Sequence, residues 1–191
     1  MGVMTTIRAE RIRPFVGRVD ELSDLSELVA RGAIVHLHGI AGIGKSALLE
    51  AFARDVGAAG VGSMMLDCRA VEPTERGFLR SVGDFDDVAS LQEHLEGIVE
   101  AFVVVLDHYE VFRLMDTWLR QVFVPGLPPT VALVLAGRER PVAGWFRIER
   151  FHGLPLGPLG ESDACLLLER RGVQAGEARR LNRIARGHPW R

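Results

Sequence analysis

Of the 23 basic residues in this 191-residue chain, 22 are arginine and one, Lys45, is lysine. That lysine lies in Gly39-Ile40-Ala41-Gly42-Ile43-Gly44-Lys45-Ser46, which fits the phosphate-binding pattern G-x-x-x-x-G-K-[ST] in full. With the chain's own frequencies of Gly, Lys and Ser plus Thr, a chance match anywhere along it has a probability on the order of one in a thousand. The residue types suit one chemistry. Glycines let backbone N–H groups surround phosphate oxygens without obstruction by Cβ, and a helix starting at the end of the loop adds partial positive charge. Lys45 is a point charge with reach to β- and γ-phosphates, Ser46 brings a hydroxyl for Mg²⁺, and Ala47 follows directly as the loop enters its helix.

A metal at such a loop needs a carboxylate from a second strand. The run AFVVVLDHYE at 101–110 offers Asp107 directly after five consecutive apolar residues, so Ser46 and Asp107 form the candidate metal set. An aspartate at this place also suits the cap of a following helix. Glu110 is placed to polarise an attacking water, or is simply a first-turn glutamate favoured by the helix dipole. His108 reads as a strand-end side chain rather than a ligand. The run TVALVLAGR at 130–138 ends in Arg138, which would emerge at the same sheet edge as Gly39 and Asp107 and could read a γ-phosphate. Lys45, Glu110 and Arg138 are therefore the candidate catalytic residues; Glu139 and Arg140 read as solvated loop charges.

Positioning these groups requires alternating strands and helices. AIVHLHG at 33–39 reads as a buried strand feeding the loop, and residues 46–57 as a helix with Leu48, Leu49, Phe52 and Val56 on one face. Further strands are expected at 61–69, 101–107, 130–138 and near 151–156. Helices are expected at 75–82, at 86–98 and, at the end of the chain, at 161–171 and 175–186. Val111, Leu114, Met115, Trp118, Leu119 and Val122 fall at helical spacing and read as a core stripe. The expected fold is α/β: a three-layer phosphate-loop domain with a mainly parallel five-stranded sheet over about 1–157, plus a partial helical subdomain over 158–191.

Composition excludes several classes. A net charge of −2, with 48% apolar and 25% charged residues, argues against disorder and against a broadly basic nucleic-acid glove. Apolar runs such as 101–106 fall far short of the roughly 20 residues of a membrane span. The N-terminal MGVMTTIRAER has arginines with no apolar stretch behind them, so no secretory signal is read there and a cytoplasmic location is expected. Cys68 and Cys165 have no metal or redox spacing and are expected to be buried, reduced thiols.

Taken in order, FVGRVDEL at 15–22, GIAGIGKS at 39–46, VVVLDHYE at 103–110, LVLAGR at 133–138, LGPLGESDACLLLERRG at 156–172 and ARGHPW at 185–190 resemble a known family. It is the nucleotide-binding module of the STAND class of signalling ATPases, relatives of AAA+ proteins, as in bacterial LuxR/MalT-type regulators. The resemblance implies an ATP/ADP site with Mg²⁺ and a slow hydrolytic switch serving signal transduction or transcription regulation. It implies that Phe15, Val16, Gly17 and Arg18 lie against adenine and ribose, with Arg18 available to the phosphates. Pro189 would close over the base from the helical subdomain. FVGR also suits a plain helix start before Leu22, Leu25 and Leu28, and GHP a plain helix stop. Adenine rather than guanine is implied by the family, and no N-K-x-D motif is present.

Two departures stand out. His108 occupies a position where many members carry a second acid, and the sequence ends after GHPWR where members continue into a winged-helix element, so a fragment or a short product is expected. Expected partners are the nucleotide, further domains of the same protein and other copies of the chain, one of which could supply an arginine finger. Neither a membrane nor direct nucleic-acid contact is expected. The alternatives are a non-hydrolysing nucleotide-binding interaction module and an origin-recognition-like AAA+ DNA-binding ATPase. The near-neutral charge and missing winged helix weigh against the latter. A nucleotide or sugar kinase lacks an acceptor-site or arginine-rich lid motif.

Overall fold

Five apolar segments pair into one sheet in a computed structural model that describes residues 15–189. The N-terminal segment in which no signal is read, and Trp190 of ARGHPW, lie outside the described residues. The strands are β1 (Ile34–His38), β2 (Gly62–Asp67), β3 (Phe102–Asp107), β4 (Val131–Gly137) and β5 (Phe151–Pro155), in the order β2-β3-β4-β1-β5. Every neighbouring pair is parallel. The expected mainly parallel five-stranded sheet is thus observed.

β4 is buried along its whole length, as the continuous apolar run of a strand covered on both faces should be. The side chains still alternate. Val104, Leu106, Leu133 and Leu135 enter one core, while Val103, Val105, Val134 and Ala136 enter the other. The second core is closed by α1 (Val19–Ala30), through Leu25, and by α2 (Lys45–Ala58), through Leu48, Leu49, Phe52 and Val56. The first is closed by α3 (Glu75–Val82), by α4 (Val88–Glu96) and by the segment 109–126. Side-chain caps start both helices: Gly77 N–H donates to Thr74 Oγ1 at 3.0 Å and Ser90 N–H to Asp87 Oδ1 at 2.8 Å.

The segment after β3 departs from the expected helix. It winds through 3₁₀ turns at Tyr109–Met115, a single α turn, α5 (Asp116–Trp118), and a π turn at Leu119–Phe123. The buried face is Phe112, Met115, Leu119 and Phe123. Val111, Leu114 and Val122, expected in the core, are 37%, 92% and 39% exposed. Tighter winding at the start rotates the inward face away from the one a uniform 3.6-residue period selects. Asp116 fixes this path, accepting from Tyr109 Oη at 2.8 Å and Trp145 Nε1 at 2.7 Å through Oδ1, and from Arg120 Nε at 3.0 Å through Oδ2.

After β5, α6 (Glu161–Arg170) and α7 (Ala175–Ala185) form a hairpin. Leu159, Ala164 and Leu167 bury against Val16, so the lead-in to α1 packs on this hairpin. Leu159 N–H donates to Gly187 O at 2.9 Å, tying the end of the hairpin to its beginning. Cys68 is fully buried, and burial pushes its thiol up to about 12; Cys165 is only partly buried, a correction to the expected pair.

Candidate functional site

The loop 39–44 joins β1 to α2, and its shape follows from its glycines. A Cβ on Gly39 would meet Leu156 O at 2.5 Å, and Gly44, at φ +105°, holds a conformation that side chains rarely adopt. α2 starts at Lys45, so the unpaired N–H groups of its first turn face the loop. Lys45 is buried, and its Nζ donates to Gly39 O at 2.7 Å and Ile40 O at 3.2 Å. Burial lowers its pKa, and the carboxylates of Glu110 and Asp107 work in the opposite direction.

A cavity of about 210 Å³ opens at this end of the sheet. The loop side contributes Ala41, Gly42, Ile43, Gly44, Lys45, Ser46 and Ala47; the strand ends contribute Asp107, Glu110 and Arg138. Phe15, Val16 and Arg18 line it from the lead-in and Pro189 from the end of the hairpin. Gly17, Gly39 and Ile40 are not in the wall. Gly17, at φ +69°, lies against Asp163, where a Cβ would meet the carboxylate at 2.4 Å. Gly39 and Ile40 instead supply the carbonyls that hold Lys45. Glu50, His108, Leu159, Leu167 and Arg171 also line the cavity and were not singled out as site residues. For Glu50 a signal existed, since it follows Ser46 by one helical turn.

Two of the arginines differ in availability. The Arg18 guanidinium is buried, donating to Glu21 Oε1 at 2.6 Å, Ile43 O at 3.2 Å and Gly157 O at 2.6 Å. It straps the phosphate loop to the chain leaving β5. Arg138 is more exposed and pairs through Nε with Glu110 Oε1 at 2.8 Å. The other oxygen, Glu110 Oε2, is buried with no hydrogen-bond partner among the described residues. Such an oxygen is costly to bury unless something else occupies it.

Asp107 is buried, and its Oδ1 accepts from the N–H of His108 at 2.8 Å. The hairpin reaches the loop directly. His188 Nε2 is 2.9 Å from Ala41 O, and Arg171 donates to Pro189 O at 2.8 Å. Among the described residues no group of three or more His, Cys, Asp and Glu could hold a metal by itself. Ser46 and Asp107 offer one hydroxyl and one carboxylate. That hard, incomplete donor set fits Mg²⁺, which takes few protein ligands and completes its shell with water and phosphate oxygens.

An all-parallel α/β sheet with a glycine-rich phosphate loop between its β1 and the following helix is the P-loop NTPase fold. Neither a protein-family model nor a curated protein matches the sequence. Among solved structures the chain is similar to a Walker-type ATPase of Pyrococcus abyssi, with TM-score 0.65 and 17% identity over 92% of this chain and 65% of that one. It is similar to the ORC1 protein of Aeropyrum pernix, solved in complex with DNA, with TM-score 0.60 and 19% identity over 86% and 51%. It is also similar to a STAND protein with a tetratricopeptide repeat sensor from Pyrococcus horikoshii, with TM-score 0.60 and 19% identity over 94% and 29%. The chain spans less than two thirds of the length of each. Two of these neighbours are ATPases by name, and at such low identity the likeness is one of fold. No helix among the described residues is long and apolar enough to cross a membrane.

Proposed function

We propose that this chain binds Mg²⁺–ATP at the strand ends and hydrolyses it slowly to ADP. The nucleotide state then sets the position of α6 and α7 and of further domains of the same protein. It is the switch module of a signalling or transcription-regulating ATPase, with a nucleotide unit over 1–157 and the start of a helical lid over 158–191. One observation carries this: Lys45, Asp107, Glu110 and Arg138, which follow β1, β3 and β4, line one cavity beneath the glycine loop.

Loop N–H groups and Lys45 hold the phosphates by charge-assisted hydrogen bonds. Ser46 and Asp107 would hold Mg²⁺, which when bound neutralises charge developing on the phosphate oxygens. Glu110 orients a water, and Arg138 leaves Glu110 to meet the γ-phosphate. Phe15, Val16 and Pro189, joined by Leu159 and Leu167, supply an apolar end suited to adenine. The His188 contact to Ala41 O supports a direct route from loop to lid. Calorimetry of ATP binding to the Lys45→Ala variant tests the site, and unchanged affinity would overturn it.

The pairing of Glu110 with Arg138 favours a second reading, a nucleotide-binding interaction module that does not hydrolyse. Single-turnover phosphate release from purified protein separates the two.

A further inference from the structure

Asp67 and Asp107 are register partners at the C-terminal ends of β2 and β3, so two carboxylates stand side by side where like charges repel. His108 lies between them. Its backbone is left-handed, at φ 56° and ψ 39°, which few non-glycine residues adopt. In that conformation its Nδ1 stands 3.1 Å from Asp67 Oδ1 and 3.4 Å from Asp107 Oδ2, while its N–H donates to Asp107 Oδ1 at 2.8 Å. Only the backbone N–H hydrogen-bonds Asp107; the buried Nδ1 makes no hydrogen bond among the described residues and stands within ion-pair distance of both acids.

Asp67 is itself held. Arg69 reaches the carboxylate through Nε at 3.0 Å and a terminal guanidinium nitrogen at 2.7 Å, and its N–H donates to Oδ1 at 3.0 Å. These hydrogen bonds keep the Asp67 carboxyl below its ordinary range. The Asp107 side chain is only 6% exposed, against 42% for Asp67, and the buried acid is the one presented to the cavity.

We propose that His108 and Asp67 are positioning residues for the metal-holding carboxylate: the imidazole, packed between the two acids, fixes the orientation of Asp107 towards the loop. The proposal rests on Asp107 as a magnesium ligand. Partners hydrogen-bonded behind a metal-holding carboxylate commonly change metal affinity by about 10–100-fold when removed.

Glycine at 108 keeps the left-handed backbone and the amide bond to Oδ1 while removing the ring alone. ATP affinity is measured by calorimetry with Mg²⁺ and with EDTA for wild type, His108→Gly, His108→Asn and Asp67→Ala. His108→Gly and Asp67→Ala should each lose about tenfold of the magnesium-dependent gain while keeping wild-type affinity in EDTA, which also reports an intact fold. His108→Asn, which tolerates the left-handed region and carries a donor, should recover most of the gain. Full magnesium gain in the glycine and alanine variants overturns the proposal alone, as does an equal loss with and without magnesium. A wild type that binds ATP no better with magnesium overturns the assignment of Asp107 as a ligand and the proposal with it.

Discussion

Arg150 and Lys45 sit at opposite ends of the same parallel sheet, and burial lowers the pKa of both. At the end where strands begin, the Arg150 guanidinium donates to Gly32 O, Pro128 O and Val131 O at 3.0, 3.2 and 3.4 Å, and to Leu127 O at 2.7 Å. It joins the segments that enter β1, β4 and β5. At the end where strands finish, Lys45 holds two carbonyls of its own loop, beside a glutamate with one buried oxygen left without a partner. One cation completes the bonding of part-buried backbone carbonyls; the other faces groups still short of partners. On the proposed reading, stability and chemistry divide between the two ends, as expected where ligands meet the carboxyl ends of parallel strands.

Substitutions at each end should break that division or sharpen it. Lys45→Ala should weaken ATP binding by at least about 1,000-fold, roughly 4 kcal/mol, with unfolding free energy within about 1 kcal/mol of wild type. Calorimetry and urea denaturation together check this, and a large loss of stability with retained binding would reverse the comparison. Glu110→Gln should leave ATP affinity intact and slow single-turnover phosphate release about 100-fold; equal rates would remove Glu110 from the reaction. Arg150→Ala should cost about 2 kcal/mol in urea denaturation and leave ATP affinity of the folded protein unchanged.

A pH-dependent effect concerns His36, in the middle of β1. Its ring is buried against Tyr109 with neither nitrogen hydrogen-bonded among the described residues, and burial lowers its pKa from 6.5 to about 4. His38 lowers it further, while Asp116 opposes the shift. The folded state therefore keeps this imidazole neutral where the unfolded chain binds a proton. Its contribution is complete above pH 6.5 and is lost as pH falls from 6.5 towards 4, at about 1.4 kcal/mol per unit. Comparing urea denaturation of wild type and His36→Leu at pH 4.5 and 7 should show a shallower pH dependence in the variant; parallel curves would remove His36 as the cause.

The phosphate loop and the strand-forming segments were legible because each is local. A fixed spacing of Gly, Lys and Ser, and unbroken runs such as 131–136, carry their meaning without reference to the rest of the chain. The arginines were not legible in this way. Arg18, Arg138 and Arg150 look alike in sequence, yet one straps the loop to the linker, one pairs with Glu110 and one closes the far end of the sheet. The segment 109–126 departs from its expected helix for the same reason. Its inward face depends on Asp116 meeting Trp145, 29 residues away, and no period within the segment reports that bond.

From sequence alone came the kind of sheet, the loop and the acid that follows an apolar run, since spacing and periodicity within a dozen residues determine them. Tertiary structure alone decided the strand order that sets Asp67 beside Asp107, the left-handed turn that puts His108 between them, and the meeting of His188 with the loop. Those contacts join residues 40 to 147 positions apart, and only chain packing sets which distant groups become neighbours.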